Sequence, residues 1–244
     1  MPFTLSHIAI VIPLKIKPLN FSSLVIGSLV PDTLYFLPKN ILYFNIHTIS
    51  GLFFFCLPIG LFFYFFWEYF LKKPSLLFLH NLLNIPTCEI EFRLSFRSIF
   101  LASFSIFLGS YLHIFWDSFT HNYGSMVEAL PFLKSVIFTV KGEPIYAFKL
   151  LQYASSTIGG IILSFWIFKK ILLNGGKLNH KLFLKILILF LTISLASILL
   201  NHYHLNKNIK IFVVQSVITL INISLLIWLF SCLAFYFKER LTSP

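Results

Sequence analysis

The sequence predicts an all-α polytopic transmembrane bundle, about five spanning helices preceded by short N-terminal interfacial or re-entrant helices, and three observations predict it. Hydrophobic residues make up 58% of the chain and charged residues only 11%, with 31 Phe and a mean hydropathy of +0.87. Eight acidic and nineteen basic residues are too few to furnish the polar shell that a water-soluble fold of this length needs, so lipid must cover the surface. Several apolar runs approach or exceed the roughly 20 residues required to cross a bilayer core. These runs are long and unbroken, where a membrane barrel would show short alternating strands.

The first forty-eight residues differ from the rest. Pro2–Ile16 and Phe21–Leu37 are apolar but short, and Pro13, Pro18, Pro31 and Pro38 punctuate them; they read as helices packed on the bundle or lying in the interface. Spans follow at Ile49–Leu71, Ile99–Trp116, Leu150–Phe168 and Ile211–Phe237, with a shorter one at Leu182–Leu200 broken by Lys185. No internal repeat or low-complexity linker interrupts the chain, which predicts one integral membrane domain over residues 1–244. The opening residues lack a basic start and a small-residue cleavage site, so they are expected to be retained.

A formal net charge of +11 raises the question of nucleic acid. The basic residues instead sit in short clusters between apolar runs (Lys72-Lys73, Lys169-Lys170, Lys238 to Arg240), where they act as interfacial anchors with anionic lipid headgroups as counterions. No nucleic-acid partner is expected. The loops at 72–98 and 169–181 and the C-terminus are richer in Lys and Arg than those around Lys134 and Lys207, which makes the richer side cytoplasmic and turns the segments near His47 and His121 outward. Cys56, Cys88 and Cys232 are too widely spaced for a Cys-x-x-Cys metal site or a disulfide framework.

The chain contains only two aspartates, and neither has a setting that a lipid-facing helix would choose. Asp32 follows Pro31, which disfavours helix at Val30 and would turn the carboxylate off a helix end. Asp117 lies in His113-Ile-Phe-Trp-Asp117-Ser-Phe-Thr-His121. Spacing of four puts His113, Asp117 and His121 on one helix face, one turn apart, a ladder on which imidazole and carboxylate can converge on a divalent ion. The same ladder also reads as a buried ion pair that neutralises Asp117 and holds two helices together.

His7 stands at the start of the chain and His47 at the entry to the first span, and either alone is more often a capping or interfacial residue than a ligand. Together His7, Asp32, His47, His113, Asp117 and His121 supply four imidazoles and two carboxylates, more than one tetrahedral site needs and enough for two ions about 3.5–4 Å apart. Nitrogen and oxygen ligands without thiolate point to zinc first, with iron or manganese as alternatives. His80, His180, His202 and His204 lie in loops rich in Lys and Asn and receive no ligand role. Glu128 can reach the same side, Glu143 between Gly142 and Pro144 reads as a turn residue, and Gln152, Ser155 and Ser156 read as second hydrogen-bond partners for the histidines or as ordinary helix-contact residues.

Five segments in order carry a resemblance: Met1-Pro-Phe-Thr-Leu-Ser-His7, Ile26-Gly-Ser-Leu-Val-Pro-Asp32, His47-Thr-Ile-Ser-Gly-Leu52, Trp116-Asp-Ser-Phe-Thr-His121 and Leu151-Gln-Tyr-Ala-Ser-Ser156. Over roughly residues 1 to 240 the chain resembles a family of bacterial polytopic membrane proteins described only as a domain of unknown function. It is also similar to a broader group of bacterial inner-membrane proteins described as membrane-bound metal-dependent hydrolases. That likeness implies a metal role for His7, Asp32, His47, His113 and Asp117, whereas His121 belongs to the pattern of the closer family. Where members of that family often carry Ser after the histidine, this chain has Thr48, which keeps the hydroxyl.

Three functions compete on these grounds. The first is a hydrolase of a lipid or lipid-linked ester or phosphoester at the outer face of the cytoplasmic membrane, with Asp32 or Asp117 as general base. The second is a transporter or metal-handling protein; it would place ionisable groups at mid-span, whereas here they gather at helix ends. The third is a scaffold whose His and Asp side chains fix helix packing.

Overall fold

The computed structural model describes residues 4–36, 46–86, 94–140, 142–205 and 209–242. Among them five helices are long and apolar enough to cross a membrane. A short helical segment, α1 (Thr4–Leu14), and α2 (Phe21–Leu29) come first. The long helices are α3 (Ile49–Leu83), α4 (Phe96–Thr120), α6 (Ala147–Leu173), α7 (His180–Leu205) and α8 (Ile209–Thr242). Between α4 and α6 lie a short helix, α5 (Ser125–Ala129), and a two-stranded antiparallel hairpin, β1 (Val136–Val140) and β2 (Glu143–Tyr146).

The apolar pattern locates every span, and each helix overruns its apolar run at one or both ends. For α3 the overrun is longest. Lys72 pairs with Glu68 one turn back at 2.7 Å, and the helix runs on until Asn84 takes a left-handed conformation (φ 53°) and its N–H closes on the His80 carbonyl. Two prolines lie inside α3, and each ring would clash with the carbonyl four residues earlier. Phe54, four before Pro58, falls in a widened π-helical turn at Leu52–Cys56. Phe70, four before Pro74, falls in another at Trp67–Leu71, so the extra residue per turn absorbs both clashes and the helix continues.

At roughly 1.5–2 Å per residue, α1 and α2 fall well short of the about 30 Å hydrocarbon core, as their proline punctuation predicts. Pro31 acts differently from expectation. Val30 keeps helical dihedrals (φ −57°, ψ −39°) and the chain tightens into a 3-10 turn over Val30–Phe36, so Asp32 is presented from a narrowed turn rather than from a break. The hairpin also lies outside the sequence reading, although the β-branched run Val136-Ile-Phe-Thr-Val140 carries its signal. Gly142, at φ +83°, makes the turn beside Glu143.

The contacts fall into two compact units. One holds α1, α2, α3 to Phe65, α4, α5, the hairpin and α6 to Lys169. Its axis is the packing of α2 on α4, whose backbones approach closely through glycine: a Cβ on Gly27 would lie 2.3 Å from the Ile106 carbonyl oxygen, and one on Gly109 would lie 2.4 Å from that of Leu24. Small residues allow this approach, and polar side chains tie it. Ser110 Oγ donates to the Gly27 carbonyl at 2.9 Å. Asn20 caps α2 by accepting from Ser23 N–H on its side-chain oxygen, donates its own backbone N–H to Ser105 Oγ, and donates from its side-chain amide to the buried Tyr64 hydroxyl on α3.

Two further caps set helix starts in this unit. Ser95 and Ser98 form a reciprocal capping box at the start of α4, and Thr48 Oγ1 accepts from Gly51 N–H at 3.1 Å to start α3, which gives the hydroxyl after His47 a defined task.

The other unit holds α3 from Phe66, the end of α6, α7 and α8. Asn201 on α7 donates to Thr219 Oγ1 on α8 at 3.0 Å, and Ser197 Oγ donates to the Ser216 carbonyl. The segment before α7 closes the C-terminus of α3, with Lys177 and Asn179 N–H donating to the Leu83 and Leu82 carbonyls at 2.7 Å each. Large apolar side chains stay exposed along the long helices, among them Phe165 (66%), Leu200 (70%) and Phe230 (67%). Such surfaces suit hydrocarbon and not water, and the chain is a multi-pass membrane protein.

Candidate metal centre

Asp32, His47, His113 and Asp117 present nitrogen and carboxylate oxygen atoms that all lie within 4.8 Å of one another. The four come from three pieces of local structure. Asp32 stands on the 3-10 turn after α2, His47 immediately precedes the Thr48 cap of α3, and His113 and Asp117 share one face of α4 near its C-terminal end. The close approach of α2 to α4 brings the first of these to the last two. His7 on α1 reaches the same place, stacked on His113 with ring centroids 3.9 Å apart.

The atoms converge without satisfying one another. His113 Nε2 is 3.3 Å from Asp117 Oδ2 and 3.5 Å from Asp32 Oδ1. His47 Nε2 is 3.4 Å from Asp117 Oδ2, and His7 Nε2 is 3.5 Å from Asp117 Oδ1. The His7, His47 and His113 Nε2 atoms and Asp117 Oδ1 are all buried with no hydrogen-bond partner. On the far side of the His113 ring, Nδ1 is 2.7 Å from the Ser28 carbonyl. A carbonyl only accepts, so the proton sits on Nδ1 and the Nε2 lone pair faces the two carboxylates.

Among the described residues every ion pair of Asp32 and Asp117 is with a histidine, although Asp32, His113 and Asp117 are at most 3% exposed. Two buried carboxylates without Lys or Arg need a positive charge from another source, either imidazolium protons or a cation. Distance discriminates between these. A charge-assisted N–H to carboxylate bond closes to about 2.7–2.9 Å, whereas a tetrahedron of metal bonds about 2.0–2.1 Å long has edges of about 3.3–3.4 Å. The His113–Asp117, His47–Asp117 and His113–Asp32 separations of 3.3, 3.4 and 3.5 Å exceed such a bond and lie close to the tetrahedral edge. This His/Asp cluster can hold a metal ion.

His121 is placed close by but engaged differently. Its Nδ1 is 3.5 Å from Asp117 Oδ1, 3.2 Å from Thr120 Oγ1 and 3.3 Å from the Asp117 carbonyl oxygen, while its Nε2 meets the Gln152 side-chain amide at 3.1 Å. Thr4 Oγ1 donates to Asp32 Oδ2 at 2.7 Å. The rings of His47 and Tyr123 meet edge to face. Thr4 and Tyr123 escaped the sequence reading; Thr4 sits one turn before His7, which is the signal that identifies it.

His7 lies outside the spanning helices, and burial, which penalises the charged form, holds its imidazole down to about 4 from its ordinary 6.5. An unfolded chain takes up this proton once pH falls below 6.5, but the folded chain does so only near 4, so stability is present above the window and lost across it as pH falls. The Tm of chelator-stripped protein in detergent is expected to decline between about pH 6.5 and pH 4.5. A His7→Leu variant should decline less steeply, and an equal slope would contradict the assignment.

A family profile described as Domain of unknown function (DUF4184) matches residues 1–233. The chain belongs to the DUF4184 family. No curated protein and no solved structure matches it. All six residues singled out in this DUF4184 member, together with Gln152, gather at one place, while Glu128 pairs with Lys134 and is well exposed. Ser155 turns back to the Gln152 carbonyl of its own helix. His80 binds the Ile85 carbonyl at the end of α3. Cys88 lies outside the described residues.

Proposed function

We propose that this chain is a membrane-embedded metal-dependent hydrolase that cleaves an ester or phosphoester of a lipid or lipid-linked substrate, at the outer face of a bacterial cytoplasmic membrane. Asp32, His47, His113 and Asp117 hold the divalent ion, with zinc the first choice for a thiolate-free N/O set. The observation that carries this reading is the convergence of buried, unpartnered Nε2 atoms on two carboxylates at the separation of a coordination edge.

A divalent ion held there polarises a carbonyl or phosphoryl oxygen and brings the pKa of water towards neutrality. The chain's own residues do the rest. His113 is locked in one tautomer by the Ser28 carbonyl, and His121, with both ring nitrogens engaged, positions the turn that carries Asp117. Both Asp117 oxygens face imidazole nitrogens. Asp32 keeps its second oxygen against a neutral hydroxyl and is the better general base. Water adds to carbon or phosphorus, the ester bond to the leaving oxygen breaks, and the proton taken by Asp32 passes to the departing alkoxide.

A cleft of about 270 Å³ supports an apolar substrate: Ile10, Trp116, Leu151, Ile158 and Ile162 line it, and His7 stands at its wall. An acyl or isoprenoid chain held there would bring a polar head to the cluster.

Purified protein in detergent is expected to retain at least one equivalent of divalent metal. It should hydrolyse p-nitrophenyl decanoate or bis(p-nitrophenyl) phosphate in a reaction abolished by chelator and restored by zinc. Asp32→Asn should slow turnover by about 10²-fold or more. Less than one equivalent in the wild type, or hydrolysis indifferent to chelator, would reject the proposal.

A further inference from the structure

We infer a second divalent-cation position between His7 Nε2 and Asp117 Oδ1, with Asp117 bridging the two ions through its two oxygens. The inference rests on the metal reading above and extends it. Assigning the first ion to Asp32, His47, His113 and Asp117 Oδ2 satisfies the unpartnered nitrogens of His47 and His113. Of the cluster's unpartnered atoms, His7 Nε2 and Asp117 Oδ1 then remain, and they face each other at 3.5 Å.

The His7 side chain is 3% exposed, so its buried Nε2 has little access to water, and leaving that atom unpaired costs free energy in either tautomer. The separation exceeds that of a charge-assisted hydrogen bond and lies close to a coordination edge. His7 is also held in place. It stacks on His113, and at Gly159 α6 comes so near α1 that a Cβ would lie 2.8 Å from the Ser6 carbonyl oxygen.

A position with two protein ligands leaves coordination sites open, and they lie beside the cleft whose wall His7 forms. Two aspartates offset only half the charge of two divalent ions. The ligand that complements the remainder is an anionic phosphoester, whose attacking and leaving oxygens a pair of ions about 3.5–4 Å apart can hold together. Within the hydrolase reading this favours a lipid phosphoester over a carboxylic ester.

The test is manganese loading of the full chain in detergent, read by elemental analysis and by electron paramagnetic resonance. The wild type is expected to bind about two equivalents with an exchange-coupled spectrum. His7→Ala should bind one and give the six-line spectrum of an isolated ion; His7→Gln serves if the alanine variant does not fold. One equivalent with an uncoupled spectrum in the wild type overturns the second position and leaves the proposed function standing. No bound manganese or zinc overturns both, and a His7 variant that retains two coupled ions overturns the location.

Discussion

Asp117→Asn is expected to strip the centre of its ion while leaving the fold in place. The substitution keeps shape and volume but removes the one charge that faces His7, His47 and His113 together. An amide can donate to an imidazole lone pair, so the metal-free cluster gains partners as it loses its ligand. Retained metal should fall below about a tenth of the wild-type content, and hydrolysis by about 10³-fold or more, since metal stabilisation of the transition state is worth several kcal/mol and each 1.36 kcal/mol is tenfold. A purely architectural cluster predicts the opposite pair of results: a lowered Tm and an unchanged ion content. Elemental analysis beside a melting curve separates the two, and wild-type metal content in the variant would refute the site.

Gly109→Ala should be nearly as damaging, although residue 109 touches no ligand. Its new Cβ would lie 2.4 Å from the Leu24 carbonyl oxygen and 2.9 Å from the Ser28 nitrogen, and backbone cannot step aside as a side chain can. The two helices must separate, at a cost of about 3 kcal/mol and a Tm about 6–12 °C lower. Ser28 supplies the carbonyl that orients His113, and Asp32 lies one turn beyond it, so metal content should fall with stability. Gly160→Ala, where nothing lies within 4 Å, is the matched control and should change neither. Equal melting temperatures for the two variants would show that the contact is not as close as described.

The spans were legible because lipid imposes a constraint that composition alone expresses: a run of apolar residues has one use at that length. Their ends were less so, since Lys72 and the residues after it are helical by virtue of local pairing and a downstream cap. The six candidate ligands were legible for a related reason. A charge is expensive in an apolar chain, and two aspartates among 244 residues stand out against such a background. Which nitrogens would be left unpaired was not legible. Sequence spacing treats His113 and His121 as equal rungs, yet one has its Nε2 open and the other has both nitrogens occupied, a distinction made by the distant Ser28 and Gln152. The hairpin was missed because an apolar β-branched run in a membrane chain reads as more helix or loop until its partner strand is seen.

The N-terminal pieces are too short to anchor themselves across a bilayer, and the residues they contribute, His7 and Asp32, are those that meet α4 at the cluster. A bound ion would therefore act as a rivet, fastening the beginning of the polypeptide to a helix more than eighty positions further along it. Chelation should loosen that fastening first, so protease cleavage near residues 15–20 would report loss of the ion before any change in the long helices.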